Sequence, residues 1–155
     1  MNLSLAQLRD RYQEAIEDRE EAQALWRKLK DYRGESGIFL AYKAATRVLV
    51  AQHILLPLTK LAMLKEAMAL FRQAVRLDPD NPEIRFLRYS IQYNLPAFLM
   101  ESGDMSEDKR VILANLPRYA EFELLPEHVS TFADFFVECK RFSSEEIAQV
   151  QAILA

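Results

Sequence analysis

Residues 67–83 read AMALFRQAVRLDPDNPE and predict a helix, a tight turn and the start of a second helix. Within this stretch Ala67, Phe71 and Ala74 recur at helical spacing, so small residues alternate with bulky ones along one apolar stripe. A stripe of this kind is expected to be buried. Its small positions would allow a second helix to approach closely.

The turn follows from the residues that end the first helix and start the next. Pro79 cannot donate a backbone hydrogen bond and pushes Asp78 out of the helical region, so the first helix ends there. Asn81 is a suitable N-cap, and Pro82 occupies the first position of the new helix, where proline is favoured. The stretch therefore predicts a corner between two helices.

The order Ala67, Phe71, Ala74, Pro79 followed by DNP resembles the second helix and the inter-repeat turn of a tetratricopeptide repeat. The likeness covers about half of one repeat. Of the first-helix signature near residues 51–58 only the leucine-type position is satisfied, and a shift by one repeat length finds no second copy. The resemblance is to a degenerate repeat and implies helix hairpins with a concave binding surface. The whole chain is also similar to small bacterial helical proteins, which implies no activity.

Length and composition predict one all-α domain over residues 1–155. Half of the residues are hydrophobic, only 3 are glycine, and no alternating strand pattern is present. We expect about six to eight helices in antiparallel hairpins that form a tetratricopeptide-like, partly irregular array. The parts are a long N-terminal helix over residues 4–32, central hairpins over 38–100 and C-terminal helices over 106–155.

The N-terminal helix starts with a predicted capping box between Ser4 and Gln7. Apolar residues then follow one seam at steps of three and four, interrupted by Arg19. The seam favours packing against the rest of the domain over a coiled coil, and weak self-association through helix 4–32 is the alternative. Residues 4–6 also resemble the small-residue end of a secretory cleavage site, although no apolar signal core precedes them. We expect a cytoplasmic protein, or a periplasmic one if a signal peptide is missing from this chain.

The most hydrophobic run follows a predicted linker over residues 33–37 and reads IFLAYKAATRVLVAQHILLPL. It is long enough to raise the question of a membrane span, but Lys43 and Arg47 would each cost about 2.5 to 3.5 kcal/mol in a bilayer. The run therefore predicts a central helix buried on most sides, without membrane insertion.

The helix after the turn carries two apolar stripes, one with Ile84 and Leu87 and one with Phe86 and Tyr89. A narrow polar strip of Arg85, Arg88 and Gln92 remains between them. In one interpretation its arginines line a groove that holds a carboxylate, since arginine presents a planar fork of donors. In the other they pair with acids such as Glu66, Asp78 or Glu83 and brace the hairpin. The candidate binding residues are Tyr42, Lys43, Arg47, Arg85, Arg88, Tyr89 and Gln92.

Charge is unevenly distributed along the chain. Residues 38–77 carry six basic residues against one acid, whereas residues 101–155 carry eleven acids against five bases. The two parts either face each other or interleave on the surface, or the basic helices present a patch to an acidic partner. Nucleic acid is not expected, because the net charge is −3 and no binding motif accompanies the patch.

Motifs for catalysis or for a cofactor are missing from the sequence. There is no glycine-rich phosphate loop, no nucleophile elbow and no metal-ligand spacing for His53 and His128. The single Cys139 lies on an apolar stripe, which predicts an inert buried thiol. We therefore expect no enzymatic activity and no cofactor.

Two functions remain after these exclusions. The first is a noncatalytic helical-repeat-like binding module for a protein or an acidic peptide. The alternative is a small-molecule or lipid-binding protein, or an enzyme with an unrecognised site, that uses a pocket between the central helices. An open polar groove would favour the first, and a closed apolar cavity with convergent Arg85, Tyr89 and Tyr42 would favour the second.

Overall fold

The computed structural model describes residues 2–96, 98 and 103–155. The fold is all-α, as the sequence predicts. In the described part of the chain the α-helices are α1 (Leu5–Glu17), α2 (Arg19–Leu29), α3 (Gly37–Ala51), α4 (Pro57–Leu77), α5 (Pro82–Gln92), α6 (Asp104–Asn115), α7 (Pro126–Cys139) and α8 (Ser144–Gln151). Short 3₁₀ helices follow α6 (Leu116–Phe122) and α8 (Ala152–Leu154).

The prediction of one long helix over residues 4–32 is wrong, because the chain breaks at Asp18. The Asp18 backbone is extended, with φ −128° and ψ 110°, and its side chain accepts hydrogen bonds from the backbone N–H groups of Glu20 and Glu21. Aspartate at an N-cap stabilises a new helix in this way. As a result α1 and α2 pack against each other instead of forming one rod. The Ser4–Gln7 capping box at the start of α1 is confirmed.

The hydrophobic run forms α3, which is buried along most of its length and packs against α4. Its N-cap, Ser36, accepts a hydrogen bond from the Phe39 backbone N–H. α3 ends at Ala51, and Ile54 and Leu55 lie in the connection to α4. The stretch that resembles a tetratricopeptide repeat forms α4 and its corner with α5, and residues 51–58 contain the end of α3, the connection and the start of α4.

The predicted corner between α4 and α5 is confirmed. Ala67, Phe71 and Ala74 are fully buried on α4. The Asn81 side chain caps α5 by accepting hydrogen bonds from the backbone N–H groups of Glu83 and Ile84, at 2.9 and 3.3 Å. The corner thus turns the chain at once from α4 into α5.

α5 lies between two hydrophobic clusters, as its two apolar stripes predict. Ile84 and Leu87 belong to a cluster formed with α1 to α4. Tyr89, with Phe86 packed beside it, belongs to a second cluster formed with α6 to α8. Because both sides of α5 are covered, its polar residues must also be accommodated inside the fold.

The C-terminal part begins earlier than the sequence indicates. α6 starts at Asp104 after Gly103, whereas the predicted start was Ser106. The end of the predicted central hairpins, at residues 97 and 99–100, and residues 101–102 lie outside the described residues. Cys139 is buried in α7, as expected. Within the described ranges, no helix has the length and apolar character needed to span a membrane.

Candidate functional site

An open groove with a volume of about 590 Å³ lies between α1, α5 and α7, with α3 beneath it. We call it the α1–α5–α7 groove. Its lining consists of Arg9, Asp10, Tyr12, Gln13 and Ile16 from α1, Tyr42 from α3, Glu83, Phe86, Leu87 and Ser90 from α5, and His128, Thr131, Phe132, Asp134, Phe135 and Glu138 from α7.

A buried polar network forms one part of the groove floor. Arg9 Nε and Nη2 donate to the two carboxylate oxygens of Glu83 at 2.9 and 2.7 Å, and the Tyr42 hydroxyl donates to Glu83 Oε2 at 2.6 Å. Arg9 Nη1 donates to the Glu123 carbonyl at 2.8 Å. Glu83 is only 3% exposed, so each of its oxygens needs a donor and each has one. The network therefore ties α1 to α5 and to the segment before α7.

The ionisation of these groups reflects their burial and mutual contacts. Burial, the charge of Glu83 and the hydrogen bond to Glu83 raise the pKa of Tyr42 well above its ordinary value. Burial also raises the pKa of Tyr12. For Arg9, burial opposes the charged form, but the hydrogen bonds and charge of Glu83 raise its pKa overall. Tyr42 thus stays a neutral donor and Arg9 a cation, which leaves Glu83 compensated.

Aromatic rings form the other part of the floor. Phe86 of α5 stacks on Phe132 of α7 with ring centroids 4.0 Å apart, and it meets Phe135 edge-on at 5.4 Å. On the opposite side Tyr12 packs edge-on against Tyr42 at 5.3 Å. These contacts hold the rings in fixed orientations, so the apolar surface of the groove is preformed.

Carboxylates line the rim. Asp10 projects from α1, and Asp134 and Glu138 project from α7, all three exposed. None of the three has a hydrogen bond or ion pair within the described part of the chain. Among the described residues the lining carries four carboxylates and one arginine, Arg9, so acidic side chains outnumber guanidinium groups in the groove.

Three further polar side chains of the groove, those of His128, Thr131 and Ser90, have local partners. His128 Nδ1 accepts a hydrogen bond from the Leu125 backbone N–H at 2.8 Å, and this contact caps the start of α7. Thr131 donates to the Glu127 carbonyl and Ser90 to the Leu87 carbonyl. These groups fix the walls. Among the described residues, no group of three His, Cys, Asp or Glu side chains is placed to hold a metal ion.

The predicted groove around Arg85 and Arg88 is not formed, because both guanidinium groups point into the fold. Arg88 donates to both oxygens of Asp108 at 2.8 and 2.7 Å, and Arg85 donates to Asp108 at 3.1 Å and to the Pro79 carbonyl. Arg88 also lies 3.5 Å from Asp104. The bracing interpretation describes this geometry, although the acids are on α6 and not at Glu66, Asp78 or Glu83.

Asp108 is completely buried by these contacts. Burial raises its pKa, while the hydrogen bonds and charges of Arg88 and Arg85 act in the opposite direction. The cluster joins α5 to α6 and presents no charge to a ligand, so an acidic segment has no access to these arginines.

Tyr89 and Gln92 are also buried and do not line the groove. Tyr89 packs edge-on against Phe142 and Phe135 in the second hydrophobic cluster. Gln92 Nε2 contacts Met68 Sδ at 3.9 Å, and among the described residues Gln92 Oε1 has no hydrogen-bond partner. Both residues hold α5 in the core.

Lys43 and Arg47 lie on another side of α3. Lys43 donates to the Tyr32 carbonyl and lines a separate cavity of about 310 Å³. Arg47 pairs with Glu66 at 3.0 Å and lies over the Trp26 ring at 4.6 Å. Of the seven candidate residues, only Tyr42 therefore lines the α1–α5–α7 groove.

Sequence reasoning missed most of the groove, above all Arg9, Asp10 and Asp134. A signal for part of it exists in α7, where the exposed Asp134 and Glu138 are one helical turn apart and border the aromatic stripe. No comparable signal shows that α1 lies opposite α7, since the two helices are separated by more than a hundred residues.

Comparison with protein-family models, with curated protein sequences and with solved structures finds no match for this chain. The fold and the groove therefore define it as an all-α protein with an aromatic, acid-rimmed surface groove.

Proposed function

We propose that this chain is a noncatalytic helical-repeat-like binding module whose α1–α5–α7 groove accepts a linear segment of another protein. The observation that supports this is the preformed aromatic floor, bordered on two helices by carboxylates that have no partner among the described residues. Interfaces that bind tightly place apolar or aromatic anchors in pockets and surround them with a polar rim.

The size and shape of the groove suit a few side chains of such a segment. Its volume of about 590 Å³ is in the usual range for ligand sites, and it opens to solvent between α1 and α7. The aromatic stacking of Phe86 on Phe132 and the ion pair of Arg9 with Glu83 hold the floor in place before binding. A preformed site loses little conformational entropy when it binds, which favours affinity.

The polar network in the floor supports recognition over catalysis. Both oxygens of Glu83 accept hydrogen bonds from Arg9 and Tyr42, so this carboxylate is held in a structural ion pair. General acid–base catalysis needs a group free to exchange a proton with a substrate. Here the buried groups position the helices, and the exposed groups contact the ligand.

A small molecule is the second candidate ligand. The same volume and aromatic lining suit a compact ligand of drug size, and Tyr42 lies in this groove. The two candidates differ in what they need from the groove. A peptide extends along the open mouth past the rim, whereas a small molecule is enclosed near the floor.

Selection from a display library of random linear peptides tests the proposal. The purified chain would be the target, and a plugged variant, Thr131→Trp, would serve for counter-selection. Thr131 is exposed at the groove and its hydroxyl donates to the Glu127 carbonyl within α7, so the change fills the groove without removing a hydrogen bond to another helix. Ser130→Trp is the matched control, because Ser130 is exposed on α7 outside the lining.

We expect peptides that bind the wild-type chain and the Ser130→Trp variant in fluorescence anisotropy but not the Thr131→Trp variant. Binding that survives the plug, or the failure to select any plug-sensitive peptide, would contradict the proposed function. Plug-sensitive binding confined to compounds of a small-molecule library would instead move the assignment to the second candidate.

A further inference from the structure

We propose that the segment accepted by the α1–α5–α7 groove is basic and amphipathic, with one or two apolar or aromatic anchors flanked by lysine or arginine. This inference rests on the proposed function and names the chemistry of the partner. It replaces the acidic peptide that the sequence suggests.

The carboxylates of the rim favour a basic segment. Asp10 on one wall and Asp134 and Glu138 on the other are exposed, and within the described chain none of them is paired. Asp134 and Glu138 are one helical turn apart, so their carboxylates lie along the same edge. A ligand that crosses the groove passes between carboxylates on both sides, and lysine or arginine side chains there gain favourable ion pairs.

The hydrogen bonds of Arg9 disfavour an acidic segment. Arg9 is the only lysine or arginine among the described lining residues, and its Nε, Nη1 and Nη2 atoms all donate to Glu83 or to the Glu123 carbonyl. The guanidinium group of Arg9 is therefore already compensated and is not available to an acidic segment. Like charges on the rim would repel such a segment, which provides specificity as well as affinity.

The aromatic floor favours an apolar anchor in the segment. Phe86, Phe132 and Phe135 present apolar surface beside the carboxylates. An aliphatic or aromatic anchor would fill this surface, and a guanidinium group at its edge would have ring faces and carboxylates within reach. The juxtaposition favours a segment in which apolar and basic residues are close together.

The test compares charge in the ligand and in the groove. Plug-sensitive peptides selected on the wild-type chain would be sequenced, and one of them would be synthesised together with a copy in which every lysine and arginine is replaced by glutamine. Binding would be measured on a neutralised groove variant, Asp10→Asn/Asp134→Asn/Glu138→Gln. The control variant, Asp31→Asn/Glu35→Gln/Asp80→Asn, changes the net charge equally at exposed carboxylates outside the groove.

We expect the selected peptides to be enriched in lysine and arginine beside an apolar anchor. The neutralised groove variant loses three exposed ion pairs with the peptide. It should therefore bind the peptide about tenfold more weakly than the wild type does. The control variant should bind like the wild type. Rising salt should weaken binding to the wild type and to the control far more than to the neutralised groove variant, because exposed ion pairs are screened.

The failures of this inference and of the proposed function are distinguishable. Plug-sensitive peptides that are neutral or acidic, or that bind the neutralised groove variant as tightly as the wild type, would overturn the basic partner and leave the groove as a binding site. The absence of any plug-sensitive peptide would overturn both.

Discussion

Arg9 and Glu83 are 74 residues apart in sequence and form a bidentate ion pair, with N–O distances of 2.9 and 2.7 Å. The pair joins α1 to α5, and Tyr42 of α3 donates to the same carboxylate. Three helices therefore meet at one buried charge, and this contact fixes the position of the α1 wall relative to the groove floor.

Replacement of Arg9 by Met should lower the free energy of unfolding by about 3 kcal/mol, because the buried Glu83 would lose its compensating charge. Chemical denaturation followed by circular dichroism measures this change. Adding Glu83→Gln to the Arg9→Met variant removes the stranded charge. The double variant should then be about 2 kcal/mol more stable than the sum of the two single effects predicts. Strict additivity would show that the ion pair is not coupled as its geometry indicates.

Asp108 is the shared ion-pair partner of Arg85 and Arg88, so its replacement by Ala should be among the most destabilising single changes in the chain. Two buried guanidinium groups would remain without their shared carboxylate, at a cost of about 3 to 5 kcal/mol. Thermal unfolding measures the effect. Glu107→Ala, which removes the acid of an exposed ion pair on the same helix, is the control and should leave the melting midpoint near that of the wild type. Equal midpoints for the two variants would refute the bracing role.

The approach of α3 to α4 at Ala74 should not tolerate a larger side chain. Ala74 is fully buried, and its carbonyl oxygen is only 2.9 Å from the position that a Cβ atom on Gly37 would occupy. Ala74→Leu should therefore lower the free energy of unfolding by about 1 to 3 kcal/mol through overpacking. Ala69→Leu is the matched control, since Ala69 is exposed on the same helix. If the Ala74→Leu variant were as stable as the wild type, Ala74 would not lie at a tightly packed helix contact.

Stability should fall at alkaline pH through the buried tyrosines. Burial, assisted by the nearby Cys139, raises the pKa of Tyr89 to about 12, and the pKa values of Tyr12 and Tyr42 are raised as well. Tyrosine in the unfolded chain ionises near pH ~10. Between these values the folded state binds more protons than the unfolded state, so stability is complete below pH ~10 and decreases as the pH rises.

A titration that follows tyrosinate absorbance and helical circular dichroism together measures this effect. The last tyrosines to ionise should do so together with the loss of helix, and Tyr89→Phe should reduce the amplitude of that phase. Ionisation of all tyrosines before any loss of helix would contradict the burial of these three hydroxyl groups.

The sequence predicts those parts of the fold that depend on neighbours along the chain. The Asn81 cap with Pro82, the Ser4–Gln7 capping box of α1 and the two apolar stripes of α5 all follow from local spacing. The sequence does not reveal the break at Asp18, because the apolar seam resumes in the same phase after Arg19, whereas the N-cap function of one aspartate decides the local geometry.

The candidate site was less predictable, for a physical reason. Arg85 and Arg88 form a polar strip that is visible in the sequence. Whether they bind a ligand or an internal acid depends on where α6 packs. In the fold their partner is Asp108 of α6. Likewise Arg9 and Asp134 lie on helices whose proximity is set by long-range packing. Periodicity assigns a residue to a helix face but does not identify the helix that the face meets.

The most direct test of the groove is the mapping of a selected basic peptide on the isotope-labelled chain by nuclear magnetic resonance. We expect amide and side-chain shifts to change at five residues that line the groove, Asp10 and Tyr12 of α1, Phe86 of α5, and Phe132 and Asp134 of α7. Perturbations confined to the exposed face of α4, with the groove residues unchanged, would contradict this assignment.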